Sequence, residues 1–205
     1  NATPGGLTRR PLLHATLAAL VAGAALWAPA ATAMDRYTTL FNRGAEAAGK
    51  QDYSNAAQQF EAAIAARDAE RIEHGSAYNA LGWVLFSQGK LGEAEEQYLR
   101  GVALEARNPA ALNRKLVTQL GYPSHPLGNL AIAYSEAGLP GKAVDAAQAG
   151  LALRPDDPNL LVNLGNAYRT IGRSADAIDR YEAALQTNPN HIAAHHNLAM
   201  ALDAQ

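Results

Sequence analysis

Three histidines near the end of the chain, His191, His195 and His196, are the residues whose type most directly suggests chemistry. Imidazole is a common zinc ligand, and residues four positions apart share one face of a helix. His191, however, closely follows Pro189 and is placed in the turn before a helix begins. We therefore expect packing or surface roles for the three histidines, and no bound metal.

No catalytic set of residues stands out in the rest of the chain. The sequence has no glycine-rich phosphate loop after a strand, and no Ser–His–Asp or paired-carboxylate arrangement. Glu93, Glu95 and Glu96 stand close together, but on a helix they are best explained as a solvated outer face. The chain has 0 cysteines, which excludes disulfides, thiol catalysis and cysteine-bound metal. We expect no enzyme activity and no cofactor.

The composition favours closely packed helices. Apolar residues make up 48% of the 205 residues, many of them alanine, whereas aromatic residues make up only 6%. The formal net charge is −2, so the composition does not suggest nucleic-acid binding, which needs a concentrated positive face, and we expect none.

The first 33 residues resemble an export signal. Arg9 and Arg10 precede an apolar run from Leu12 to Trp27, and a small-residue motif ending at Ala33 predicts cleavage before Met34. After cleavage we expect an exported, periplasmic protein with no stable membrane insertion. Two alternatives remain: the run stays as an uncleaved membrane anchor, or a cytoplasmic protein starts at Met34. The paired arginines leave the general and twin-arginine export routes both open.

One pattern of small and aromatic residues recurs along the chain. The stretch LVNLGNAYRTIGRSADAIDRYEAALQTNPN, Leu161 to Asn190, reads as two amphipathic helices joined at Ile171-Gly172-Arg173. Within it, Gly165, Ala177, Tyr181 and Ala184 form a set of small, small, aromatic and small residues. Two sets match it fully: Gly44, Ala56, Phe60 and Ala63; and Gly82, Ala94, Tyr98 and Gly101. A further set is Ala131, Ala143, Ala147 and Gly150, with alanine in place of the aromatic residue.

Each residue type in this pattern has a packing role. Small residues let the two helices of a pair approach closely, and we expect the aromatic residue to fill the space between one pair and the next. Gly89, Gly138 and Gly172 stand where a tight reversal with positive φ is needed between helices.

This pattern resembles the tetratricopeptide repeat, a helix-turn-helix unit of 34 residues. The resemblance rests on Leu164-Gly165, Tyr168, Gly172, Ala177, Tyr181, Ala184-Leu185 and Pro189. It implies an all-α fold, a right-handed α-solenoid of stacked helical hairpins. The first copy departs from the pattern, with Arg43, Ala47 and Gln51 in place of leucine, tyrosine and the turn glycine.

The spacing of the copies predicts the domain organisation. After the signal at residues 1–33, the repeats occupy residues 37–70, 75–108, 124–157 and 158–191, and a fifth copy starts at 192–205. We expect this fifth copy to be truncated. An insertion at residues 109–123 separates the second and third copies and is either a short helix or a loop.

The resemblance implies that the first helices line a concave groove for a peptide or protein. By register, the candidate groove residues are Asn42, Asn79, Trp83, Phe86, Asn129, Asn163, Asn166, Arg169, His196 and Asn197. Four of the asparagines share one column, which either pairs with the backbone of a peptide or tethers neighbouring helices. Trp83 and Phe86 either anchor a ligand side chain or pack beneath the insertion. His195 falls at the packing position that Tyr78, Leu127 and Leu161 hold in other copies.

Together, the signal and the resemblance imply a peptide-binding scaffold or adaptor of the bacterial cell envelope, in pilus, secretion or polysaccharide-export assembly. One alternative is an N-terminal docking arm of a larger enzyme such as a glycosyltransferase. Another is a self-assembling solenoid, so the oligomeric state stays open.

Overall fold

The computed structural model describes residues 30–70, 75–107 and 125–204. Within these ranges the chain forms nine helices. They are α1 (Ala30–Gly49), α2 (Tyr53–Glu70), α3 (Ser76–Ser87), α4 (Leu91–Arg107), α5 (Pro126–Glu136), α6 (Pro140–Leu153), α7 (Pro158–Thr170), α8 (Ser174–Thr187) and α9 (Ile192–Asp203). The predicted all-α fold is confirmed.

The helices pack as four consecutive hairpins, α1–α2, α3–α4, α5–α6 and α7–α8, and α9 follows as the next first helix. Each first helix also contacts the first helix of the next hairpin, whereas the second helices make no comparable contact with one another within the described ranges. Successive first helices contact one another and successive second helices do not, so the first helices occupy the inner side of a curved solenoid.

The turns between paired helices use left-handed backbone, as expected. Gly89, Gly138 and Gly172 have φ values of 79°, 73° and 78°. In the first hairpin the same place is taken by Gln51, whose φ is 61°. The departure from the repeat pattern at Gln51 is therefore a change of residue type with the turn conformation retained.

In the three sets that contain an aromatic residue, its ring packs inside its own hairpin. A Cβ added to Gly165 would lie 2.5 Å from Cε1 of Tyr181, and one added to Gly82 would lie 2.8 Å from the Tyr98 ring. The expectation that this ring fills the space between successive pairs was therefore incomplete. The ring covers the glycine of the partner helix, and a side chain there would collide with it.

Helix α1 extends further towards the N-terminus than the first predicted repeat. Helix α1 begins at Ala30, so it runs through the predicted cleavage point at Ala33 and starts before the first predicted repeat. Alanine is a strong helix former, which explains this extension. The rest of the predicted signal and the insertion at 109–123 lie outside the described residues. Within the described ranges, no helix combines the length and apolar character needed to cross a bilayer.

Candidate peptide-binding groove

The asparagines of the inner face form hydrogen bonds from one repeat to the next. Nδ2 of Asn129 on α5 donates to Oδ1 of Asn79 on α3 at 2.8 Å. Nδ2 of Asn163 on α7 donates to the carbonyl oxygen of Gly128 at 3.1 Å. All three asparagines are buried, at 3% exposure for Asn79, 5% for Asn129 and 9% for Asn163. At these positions the amides tether neighbouring first helices.

The same arrangement continues at the other end of the array. Nδ2 of Asn197 on α9 donates to Oδ1 of Asn166 on α7 at 2.8 Å, and the Tyr181 hydroxyl donates to that oxygen as well. Asn42 on α1 is exposed, and no described hairpin precedes it. Asn129, Asn163 and Asn197 of the column are therefore each hydrogen-bonded to the first helix of the preceding repeat. Each bond satisfies a polar group that burial would otherwise penalise.

A pocket of about 490 Å³ opens on the inner face between the second and third repeats. We call it the aromatic pocket. It is lined by Tyr53, Trp83, Phe86, Ser87, Tyr98, Asn129, Ile132 and Glu136. The structure thus brings three predicted groove residues, Trp83, Phe86 and Asn129, into one site, and leaves the other seven outside it.

The walls of the aromatic pocket are held by contacts within and between repeats. The rings of Tyr53 and Trp83 meet edge to face, with centroids 5.7 Å apart and planes at 75°. The Ser87 hydroxyl donates to the carbonyl oxygen of Trp83 at 3.0 Å. Trp83 and Phe86 are half-buried, so their rings reach both the core and the pocket.

The ten candidate groove residues do not include five residues of this pocket, and Tyr53, Tyr98 and Glu136 are three of those five. Tyr98 belongs to the repeated packing set and was assigned to the core. Tyr53 is the first residue of α2, where the other hairpins carry Leu91, Pro140 or Ser174. The aromatic side chain at this position was a sequence feature that could have identified Tyr53 as a candidate residue. Glu136, the last residue of α5, gave no such signal.

Two other predicted groove residues are exposed at the far end of the array. Arg169 lies near the end of α7 beside Tyr181. Burial raises the pKa of the Tyr181 hydroxyl, and a hydrogen bond with the Arg169 guanidinium partly offsets that rise. His196 is exposed on α9.

The histidines near the end of the chain are dispersed. Nδ1 of His191 accepts a backbone N–H at the start of α9, and its Nε2 lies 3.1 Å from Oδ1 of Asn159. His195 lies 2.7 Å from the carbonyl oxygen of Pro189 and is exposed. His195 thus lies at the surface, and no second helix is described after α9 for it to pack against. Among the described residues, no group of three or more metal-ligating side chains comes together.

Several cations lie over aromatic rings away from the aromatic pocket. The Arg173 guanidinium lies 4.5 Å from the ring centroid of Tyr168, and Nζ of Lys142 lies 5.2 Å from that of Tyr134. Burial and a hydrogen bond to the Glu95 carboxylate raise the pKa of Tyr134 to about 12. The described residues that line the aromatic pocket include no cation.

Comparison with known proteins supports the repeat assignment. The sequence matches the family model described as Tetratricopeptide repeat over residues 41–111, 129–192 and 162–205. Among curated proteins, the chain is similar to the peroxisomal targeting signal receptor of Eremothecium gossypii, with 38% identity over 60 residues. That match covers 29% of this chain and 10% of the receptor, so the chain spans about a tenth of the length of the curated relatives it matches.

Solved structures share the fold at low sequence identity. PilF from Pseudomonas aeruginosa superposes with a TM-score of 0.64 and 17% identity, over 84% of this chain and 70% of that one. The first repeat domain of Spaghetti (RPAP3), bound to an HSP90 peptide, has a TM-score of 0.51 and 22% identity, over 65% of this chain and 94% of that one. Since the family model covers most of the chain and the hairpins repeat the same packing, this protein belongs to the tetratricopeptide repeat family.

Proposed function

We propose that this chain is a peptide-binding scaffold of the bacterial cell envelope, exported by its N-terminal segment and without enzyme activity of its own. The observation that carries the binding role is the aromatic pocket on the inner face, where Trp83 and Phe86 are half-buried. Aromatic side chains in concave sites commonly dominate the free energy of peptide binding. The helical array is preformed, so little of the binding free energy is lost in ordering the protein.

Two relatives are consistent with this role. The solved domain of Spaghetti (RPAP3) holds an HSP90 peptide, which supports peptide binding by a solenoid of the same fold. The curated relative is described as a receptor for a targeting signal. The envelope location rests on the predicted signal at residues 1–33, and the structural similarity to PilF of a bacterium fits it.

The binding role is tested by capturing partners from an envelope extract with the full chain. Trp83→Ala and Phe86→Ala are compared with Glu182→Ala, a control on the exposed surface of α8. We expect the two pocket variants to lose the captured partner and the control to keep it, with all three retaining the wild-type circular dichroism. Capture of the same partner by all variants would show that the groove is placed wrongly.

Export is tested separately. Residues 1–33 are fused to a reporter enzyme that is active only outside the cytoplasm, and the same fusion with Arg9 and Arg10 changed to glutamate is the control. We expect activity from the first fusion and little from the second. An inactive first fusion would remove the envelope part of the proposal and leave the binding part standing.

A further inference from the structure

The polar groups of the aromatic pocket offer acceptors for hydrogen bonds. Nδ2 of Asn129 already donates to Asn79, which leaves Oδ1 of Asn129 as an acceptor. The proton of Ser87 is used on the carbonyl oxygen of Trp83, so the Ser87 oxygen is left with acceptor lone pairs. The Glu136 carboxylate accepts only. These three groups suit a ligand group that is rich in hydrogen-bond donors.

The charge of the pocket also favours a cationic ligand group. Glu136 is the one charged residue among the described residues that line it, and it is exposed to solvent. Both Ser87 and Glu136 are the last residues of their helices, α3 and α5. Helix C-termini carry partial negative charge and favour a cation placed nearby.

The aromatic walls add a third feature. Tyr53, Trp83, Phe86 and Tyr98 line the pocket, and the indole of Trp83 is the largest ring among them. A cation over such a ring is attracted by the negative charge of its face. The planar guanidinium of arginine stacks on aromatic rings, carries five N–H donors, accepts no hydrogen bond and pairs with carboxylates in a fork.

From these features we infer that the aromatic pocket binds an arginine side chain of the partner peptide, with the guanidinium over Trp83 and paired with Glu136. This inference rests on the proposed peptide-binding function and names the side chain that the site selects. The neutral acceptors of Asn129 and Ser87 take the remaining N–H groups.

The test uses matched pentapeptides, acetylated and amidated, with two glycines on each side of a central arginine, citrulline or lysine. Citrulline keeps the shape of arginine without its charge. The protein is the full chain with Trp27→Phe, which leaves Trp83 as the single tryptophan and therefore the fluorescent reporter. We expect the arginine peptide to bind about tenfold more tightly than the citrulline peptide, and binding to weaken with added salt.

Protein variants then locate the effect. Glu136 is exposed, so Glu136→Gln should leave the fold unchanged and remove most of the preference for arginine over citrulline. Glu182→Gln, an exposed carboxylate on α8, should keep the full preference. A loss of preference in both variants would mean that overall charge, and not this site, attracts the peptide.

Several results would overturn the inference. Equal binding of the arginine and citrulline peptides, equal binding of arginine and lysine, or no saturable response to the arginine peptide each contradict it. Self-association that Glu136→Gln abolishes would assign the pocket to a second copy of the chain instead. If Trp83-dependent capture from the envelope extract persists in any of these cases, the scaffold function stands and only the arginine assignment fails.

Discussion

The side-chain amide of Asn129 donates a 2.8 Å hydrogen bond to Oδ1 of Asn79, and both residues are buried although 50 positions separate them. The bond joins the first helices of the second and third repeats directly beside the aromatic pocket, which Asn129 also lines. The same residue thus holds two repeats together and forms part of the wall of the candidate site.

This amide pair should contribute to stability as a coupled unit. Asn129→Ala leaves the Asn79 amide buried without that partner, so we expect a loss of about 1–3 kcal/mol in the free energy of unfolding. The double change with Asn79→Ala should cost less than the sum of the single changes. Chemical denaturation measures all three, and the exposed Asn42→Ala is the control, with an expected change within about 0.5 kcal/mol. Strict additivity of the two single changes would argue against the coupling.

Gly165 should tolerate no side chain. Its Cβ would lie 2.5 Å from the Tyr181 ring, so Gly165→Ala forces the ring or the helix to move and should destabilise the protein by about 1–3 kcal/mol. Gly92 lies in α4 with no atom within 4 Å of its added Cβ. Gly92→Ala should therefore be neutral or stabilise by up to about 1 kcal/mol. Thermal unfolding of the two variants compares them, and equal effects would contradict the close approach at Gly165.

Replacing Gln51 in the first turn with glycine, the residue found in the other three turns, should stabilise the protein. Gln51 has a φ of 61°, a conformation that costs a residue with a Cβ about 1 kcal/mol. We expect Gln51→Gly to raise the free energy of unfolding slightly, and the reverse type of change, Gly172→Ala, to lower it by about 1 kcal/mol. Denaturant midpoints measure both. Destabilisation by Gln51→Gly would indicate that the glutamine side chain itself matters.

Tyr134 should make stability depend on alkaline pH. Burial and the Glu95 carboxylate raise its pKa to about 12 from the ordinary 10.0. A raised folded-state pKa means that the contribution is fully present below pH 10 and is lost as pH rises towards 12. We expect the free energy of unfolding to fall across this interval by about 1 kcal/mol more in the wild type than in Tyr134→Phe.

The Glu95 contribution to this pKa can be separated by NMR titration of labelled tyrosine. In Glu95→Gln the neighbouring negative charge is gone, so Tyr134 should titrate at a lower pH than in the wild type, although burial still holds its pKa above 10.0. An unchanged titration would show that burial alone raises the pKa.

Much of the fold followed from local spacing. The set Gly165, Ala177 and Tyr181 identified the hairpin, since its contacts join residues close in sequence whose relative positions regular helices determine. The turn at Gln51 could be located for the same reason, although its residue type departs from the pattern. At His195 the pattern predicts packing against a second helix, and the described residues after α9 do not include one.

The sequence by itself determined the hairpins and their order, and it predicted which residues line the inner face. Only the tertiary structure decided which of those residues meet: Asn129 with Asn79, Asn197 with Asn166, and Tyr53 with Trp83 around one pocket. Contacts within a hairpin depend on the fixed rise and turn of a helix. Contacts between hairpins depend on the shift and rotation from one repeat to the next, which arise from many side chains packing together at once.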